Sequence, residues 1–454
     1  MMRSVPLSLY KRFAGRRLLL SEMVKSLEKD DERELQPALD VLEEQGYVTK
    51  EPSIQTSFWA IRKKCNRCGA GSLYLEKSSC AICKQRSCVY CTKCLHRGRS
   101  KSCNFVYSFQ PMLECMEFQS ESSYPLQPAQ QKTLIDIQKL LHGKSRSIYV
   151  VMVAGAGKIS ILAALFQHLL SEQKHIFWCL PDEEVEQNLN QLTLLMPKLI
   201  QQCKSSFHQS FVVGTKWDML SYHQQFDVLL LDGVEVPVFF SNGALAKEGQ
   251  QVQIGLPFLR NHQTSLVVHP VRLHQYPLPI PKFIHYRGLR RDLQLNKQIE
   301  PLRLFIEEIQ SLNGQAWIVV PSKKDGKMVM DWIEKVMPSI KDKSRMIVEE
   351  NESAEELRIL FSEQKFTFLI TIHYLVKSVR IANLHLCVLF VEHSSNERKR
   401  LVEMSQLVGI HAYFPNGEVW FVGEENTNTI VQTKKEHIYL NELAKKEGYL
   451  NERA

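Results

Sequence analysis

The chain has no apolar run suited to crossing a membrane. Its least charged stretch, Ile148 to Phe166, contains Gly155, Gly157 and Lys158, which suits a buried strand running into a helix. A secretory leader is not expected, because Lys11, Arg12, Arg16 and Arg17 interrupt the apolar core of MMRSVPLSLYKRFAGRRLLL. Glycine (20) and proline (18) are scarce in 454 residues, and no internal repeat or low-complexity tract is evident, which excludes collagen-like and wholly disordered classes. With 44% hydrophobic and 23% charged residues the chain can bury several cores, two to three domains by length. A soluble, cytoplasmic protein is the expectation.

What is plentiful is local. Of 12 cysteines, eight crowd between Cys65 and Cys103, and in a long chain without an export signal this pattern reads as metal binding in a reducing compartment. Cys65-x-x-Cys68, Cys80-x-x-Cys83 and Cys91-x-x-Cys94, with Cys88 and Cys103 beside them, have structural zinc spacing: each CxxC turn brings two thiolates to one tetrahedral ion at about 2.3 Å. Two closed sites, or one site with spare thiols, both fit, and the pairing is open. Cys115, Cys179, Cys203 and Cys387 stand apart and read as packing residues.

Charge gathers in the same place. Between Ile61 and Cys103 eleven cations face the single acid Glu76, so the rest of the chain is about two units negative against a total of +8. Ligand thiolates would absorb part of that surplus, and the remainder suits a phosphate backbone. Arg62, Lys63, Lys64, Arg67, Lys93, Arg97, Arg99 and Lys101 are the candidate DNA contacts. Tyr74, Tyr90 and Tyr107 could stack bases, whereas Phe105 and Phe109 are expected to pack around the metal module.

Residues 1–60 read as a helical N-terminal segment with a β wing weakly indicated, and 61–115 as the cysteine module. After a linker at 119–129 comes an alternating pattern, with strands expected at Ser147–Ala154, His175–Leu180, Phe211–Gly214, Val228–Asp232 and Ser265–His269. The proline-rich YPLPIP at 276–281 then separates a second set, at Ala316–Pro321, Met346–Glu350, Phe366–Ile372, Leu384–Glu392 and Glu418–Gly423. The fold class is therefore α/β, two successive parallel-sheet lobes at 122–285 and 286–454 behind a metal module.

The first lobe opens with a damaged phosphate loop. Gly155, Ala156, Gly157 and Lys158 supply small residues and the bridging lysine, but Ile159 stands where Ser or Thr would hold magnesium, and Ser160 lies about 100° further around the helix. The strand Val228–Leu231 ends in Asp232-Gly233-Val234-Glu235; Asp232 could order a metal-bound water, but Gly233 removes the carboxylate that would polarise the attacking one.

These residues resemble the ComFA family of late competence proteins, helicase-like ATPases related to the primosomal helicase PriA. YKRFAGRRLLL, the CxxC module, the phosphate loop, SYHQQFDVLLLD, YPLPIPKF and Phe414-Pro415-Asn416-Gly417-Glu418-Val419 carry the resemblance along nearly the whole chain. It implies two tandem RecA-like lobes of helicase superfamily 2 type, translocation on single-stranded DNA, and import of transforming DNA at the inner face of the membrane, with peripheral attachment. It also implies a phosphoribosyltransferase-like ComFC partner and other uptake proteins, with Zn2+, ATP and Mg2+ as cofactors.

Against that family the chemistry is eroded. A Thr-Ala-Thr-Pro motif appears as Ile254-Gly255-Leu256-Pro257, a Glu-Arg-Gly pattern as Val376-Lys377-Ser378, and a Gln-x-x-Gly-Arg-x-Gly-Arg motif as Gln406 to Tyr413, with Ile410 and Tyr413 where arginines belong. An arginine finger is typically worth about 10³ to 10⁵ in rate, so the expectation is a DNA-binding scaffold with ATP hydrolysis impaired or absent. An active translocase with a divergent site, drawing a cation from Arg398, Lys399 or Arg400, and a zinc-ribbon structural protein without a DNA role are the alternatives.

Overall fold

The computed structural model describes residues 4–28, 35–56, 63–112, 125–205, 210–255, 265–347, 349, 352–372 and 381–451. Arg62, Cys115, Leu256, Pro257 and the 376–378 segment lie outside them.

The chain begins with α1 (Ser4–Phe13), β1 (Arg17–Leu19), α2 (Leu20–Ser26), α3 (Gln36–Glu44) and β2 (Val48–Pro52). The first turn of α2 is closed by Glu22, whose carboxylate accepts the Leu19 N–H at 2.8 Å, and α3 carries proline in its opening turn, where a missing N–H costs nothing. The cysteine module follows as β3 (Ile54–Thr56), β4 (Lys63–Cys65), β5 (Leu75–Ser78) and β6 (Cys88–Cys91), and the chain returns as β7 (Phe105–Phe109). That last strand lies between β1 and β2, antiparallel to both, with Tyr107 opposite Leu18 on one side and Lys50 on the other. Leu9, Phe13, Met23, Leu39 and Leu42 pack on Tyr107 and Phe109 as one core. This is the helix and strand order of a winged helix, and the metal module is an insertion between two strands of its sheet. A division at residue 60 therefore cuts through a single folded unit.

Lobe 1 contains α4 (Pro128–Leu141), β8 (Ser147–Met152), α5 (Lys158–Ser171), β9 (Ile176–Cys179), α6 (Val185–Leu195), α7 (Pro197–Ser205), β10 (Phe211–Gly214), β11 (Phe226–Asp232), α8 (Val238–Ala244), β12 (Leu245–Ile254) and β13 (Ser265–His269). The six strands run parallel in the order β10-β9-β11-β12-β8-β13. The strand β12 is absent from the sequence reading because LAKEGQQVQI is polar; it is held in place by Val252, paired with Leu230 and Ile148. It separates the phosphate-loop strand from the Asp232 strand, whose carboxyl ends open on the same edge, where α/β sheets bind ligands.

Lobe 2 contains β14 (Lys282–His285), α9 (Leu289–Gln294), α10 (Glu300–Ser311), β15 (Gln315–Val320), α11 (Lys323–Val336), β16 (Ser344–Ile347), α12 (Glu352–Ser362), β17 (Phe368–Ile372), β18 (Leu384–Leu389), α13 (Arg398–Ser405), β19 (Val419–Gly423) and α14 (Asn428–Lys446). Its six strands are also all parallel, in the order β14-β19-β18-β15-β17-β16. The two sheets are the tandem RecA-like lobes.

The boundary between the lobes moves, and one helix is shared across it. Residues 282–285 pair with β19 and so belong to lobe 2, not lobe 1. The final helix α14 leans back the other way: Leu440 joins the lobe 1 core, and the Asn441 side-chain amide exchanges hydrogen bonds of 2.7 and 2.9 Å with the Leu278 backbone. It also holds lobe 2, where Glu436 pairs with Arg398 of α13. One helix thus pins the two lobes to each other.

Candidate functional site

The eight module cysteines resolve into two interleaved sets. Cys65, Cys68, Cys91 and Cys94 form one cluster and Cys80, Cys83, Cys88 and Cys103 the other, with all four sulfurs of each set within 4.8 Å of one another. The Sγ–Sγ distances, 3.9 Å for Cys65–Cys94, 3.6 Å for Cys68–Cys91, 3.9 Å for Cys80–Cys103 and 3.7 Å for Cys88–Cys103, are far from a disulfide. They match the edge of a tetrahedron with 2.3 Å metal–sulfur bonds, about 3.8 Å. Both clusters could hold a metal ion. In the second, backbone N–H groups of Cys83 and Ile82 favour the Cys80 thiolate and bring its pKa down to about 6, whereas burial drives Cys103 up to about 12.

The two clusters have different neighbourhoods. The first is wholly buried and shares one core with Phe177, Met219, Phe226 and Phe240 of lobe 1. Arg97 pairs with Asp218 at 2.9 Å, and His96 meets Trp217 edge-on at 4.5 Å between ring centroids. The second cluster carries the exposed cations Lys77, Lys84 and Arg86 around it.

The candidate DNA contacts consequently separate. Arg67 is 1% exposed and bonded to Glu22, so it is a structural residue and not a free cation. Arg97 is engaged with Asp218. Lys64 lies over the Phe239 ring and Lys93 over Tyr74, and Lys101 points its Nζ at the Cys80 sulfur, 3.7 Å away. Lys63 is half-buried and Arg99 exposed. Among the aromatics, Phe109 and Tyr107 are core, Tyr90 donates to Glu76 at 2.9 Å, and Phe105, expected to pack, is 42% exposed beneath Lys50.

The cleft is built from both lobes. The phosphate loop runs from Ala154 to Lys158, the first residue of α5, and Gly157 caps that helix at φ +72°, where a Cβ would lie 2.6 Å from Gln130 Nε2. Gln130, which the sequence reading passed over, donates to the Ala156 carbonyl at 3.0 Å and closes the capping box of α4; the QPAQQ pattern was the signal for it. Lys158 Nζ lies 2.8 Å from both carboxylate oxygens of Asp232, which is 3% exposed and also accepts from Trp178 Nε1 at 3.4 Å.

Lobe 2 closes over this loop through the eroded motif. Gln406, fully buried, accepts the Ala154 N–H at 2.9 Å. Arg272, 1% exposed, donates to the Gly409 carbonyl at 2.6 Å and the Gln406 carbonyl at 2.7 Å, and His274 Nε2 reaches the same Gly409 carbonyl at 3.0 Å. Among the described residues no carboxylate pairs with Arg272, and burial lowers its pKa to about 9. Ile410 lies against Gly155 and Tyr413 is 86% exposed, so neither replaces the missing cation. Arg398, one candidate substitute, is occupied by Glu436. Two carboxylates missed in the sequence flank the cleft: Glu184 feels Lys158 and Asp232, Glu403 feels Glu184, and burial raises both.

Cys179 and Cys387 are fully buried among core residues, as packing cysteines should be.

Comparison with known proteins follows the same outline. Residues 3–108 match the competence protein ComFA N-terminal domain. The chain is 22% identical over 435 residues to competence protein ComFA of Bacillus subtilis, covering 88% of this chain and 90% of that protein. It is 23% identical over 437 residues to competence protein ComFA of Streptococcus pneumoniae, covering 88% and 96%. Among solved structures it is similar to RecG bound to a three-way DNA junction (TM-score 0.47, 12% identity, 71% of this chain and 46% of that one). It is also similar to Dbp5 of S. cerevisiae bound to RNA and ADP BeF3 (TM-score 0.42, 13% identity, 72% and 98%). The chain spans about half the length of the RecG structure. The N-terminal family match spans the winged unit and its metal module, and the two competence protein ComFA relatives align along both lobes, so the similarity to ComFA runs through nearly the whole chain.

Proposed function

We propose that this protein binds single-stranded DNA during import of transforming DNA and serves there as a scaffold, with ATP hydrolysis impaired or absent. One observation carries the reading. The groups that would receive a γ-phosphate are already engaged: Ala154 N–H by Gln406, and Lys158 by Asp232. Ile159, Gly233 and Ile410 supply neither the magnesium hydroxyl, the base carboxylate nor the second-lobe cation that turnover uses. Arg272 and α14 fasten the lobes in this arrangement, whereas a translocase must open and close.

DNA contact is assigned to the second cysteine cluster and the exposed Lys77, Lys84, Arg86 and Arg99 around it, with zinc as the metal of both clusters. A ComFC-like partner and a peripheral position at the inner membrane face follow from the family reading. The test is equilibrium binding of a fluorescent oligonucleotide to the zinc-loaded full chain across a salt series, with and without ATP. Salt-dependent binding unaffected by ATP supports the scaffold; absence of binding at low salt rejects a DNA role.

Glu184 favours one second reading, a divergent translocase in which this carboxylate, raised by burial beside Lys158, replaces the lost base. Loss of phosphate release in Glu184→Gln alone would mark it.

A further inference from the structure

Away from the cleft, the C-terminal ends of α4 and α5 bring together His142, His168 and Glu172, whose ligand atoms all lie within 4.8 Å of one another. His168 and Glu172 are one helical turn apart on α5, and His142 follows the last turn of α4. His168 is ten residues past Lys158, about 15 Å along the helix, so this cluster belongs to neither the phosphate loop nor the cysteine module.

The hydrogen bonding fixes which nitrogens are available. His142 Nδ1 is 2.7 Å from the Gln138 carbonyl oxygen, which can only accept, so Nδ1 carries a proton and Nε2 faces the cluster, as a lone pair in the neutral ring or as a second N–H donated to Glu172 in the imidazolium. There it lies 3.0 Å from Glu172 Oε1, itself an acceptor. His168 Nε2 is 3.3 Å from the same oxygen and, though buried, makes no hydrogen bond among the described residues. With His142 neutral, three lone-pair donors converge on one point, where a metal ion would take the place of the proton on Nε2. Two imidazole nitrogens and one carboxylate are the ligand set of borderline divalent ions such as zinc, nickel and cobalt, and unlike magnesium or calcium sites they are not all oxygen. The His142 side chain is 59% exposed, so water has access to the remaining coordination positions.

We propose that His142, His168 and Glu172 form a third metal site, separate from the thiolate clusters, that takes a divalent transition-metal ion with water completing the shell. The ion would clamp α4 to α5, the two helices whose opposite ends carry Gln130 and Lys158 at the phosphate loop.

The test uses the full chain with its cysteine clusters loaded with zinc and free metal removed, titrated with NiCl2 by calorimetry and with CoCl2 by absorbance. The expected result is one further equivalent, with a weak cobalt d–d band and no added thiolate charge-transfer band. His168→Ala, His142→Ala and Glu172→Gln should each weaken that equivalent at least about 10- to 100-fold, the loss typical even of groups behind the ligands. Cys83→Ser should leave it in place. Equal thermal midpoints for wild type and His168→Ala in chelator exclude misfolding as the cause. No extra equivalent, or one indifferent to all three substitutions, overturns the site.

Discussion

Lys158→Ala separates a structural ion pair from a catalytic lysine. In a working ATPase this lysine bridges phosphates, and its loss silences turnover with little effect on the fold. Here it sits 2.8 Å from both oxygens of Asp232, whose side chain is 4% exposed while the lysine is 30% exposed. Removing one partner of a buried pair costs about 3–5 kcal/mol, because a charge is left without compensation. The lysine is nearly one-third exposed and the Trp178 indole still donates to Asp232, so the cost falls to or just below the lower end of that range, about 2–3 kcal/mol. Asp232→Asn should cost less, about 1 kcal/mol, since the freed ammonium can turn to water. The double variant Lys158→Ala, Asp232→Asn should lose only about 1 kcal/mol, giving a coupling of about 2–3 kcal/mol. Urea unfolding of the four proteins, followed by Trp fluorescence and circular dichroism, measures it. If Lys158→Ala unfolds at the wild-type urea midpoint and differs only in phosphate release, the pair is not structural and the reasoning fails.

Four further outcomes follow from the same geometry. Replacing Lys77, Lys84 and Arg86 with alanine should lower the salt slope of single-strand binding by about 2, from about 0.7 per phosphate contact, whereas Arg67→Ala should destabilise the winged unit because it strands Glu22. Arg272→Met removes two charge-assisted interlobe hydrogen bonds, worth about 3–6 kcal/mol together, and should increase the radius of gyration by X-ray scattering and hasten proteolysis near 274–281. Thiol-specific titration with a zinc indicator should release two equivalents in sequence, the partly exposed Cys83/Cys103 cluster before the buried Cys65/Cys94 cluster; simultaneous release would contradict the separation of the two cores. His269, His385 and His437 are each pushed by burial to about 4, below the ordinary 6.5. The unfolded chain protonates first, so stability holds above pH 6.5 and falls as pH drops toward 4, at most about 3 kcal/mol per histidine; equal urea midpoints at pH 7.5 and 5 would refute it.

The legible parts of the sequence were those with a strong local signal. Val228 to Leu231 is a continuous apolar run, and it is a strand buried on both faces. CxxC spacing announced metal clusters, but the pairing depends on a crossing that only the folded chain makes, with Cys103 returning beside Cys80 and Cys88. Polar β12 and short β14 escaped notice because neighbours and not composition hold them in their sheets. Arg67 read as a surface cation because charge counting knows nothing of Glu22, 45 residues earlier. Arg272 had no motif at all; its meaning lies in two carbonyls more than 130 residues away.

Gly233 adds a constraint on any repair of the site. It sits at φ +68°, so a glutamate there meets left-handed strain of about 1–2 kcal/mol although its Cβ has room, with Pro181 Cγ 3.9 Å away. The pair Ile159→Thr, Gly233→Glu should therefore recover turnover poorly.

The most direct measurement is single-strand-stimulated phosphate release by the zinc-loaded full chain beside Lys158→Ala. The account predicts no release above the variant's background while the wild type still binds the oligonucleotide. Release that the strand stimulates and Lys158→Ala abolishes would contradict it and make this chain a motor.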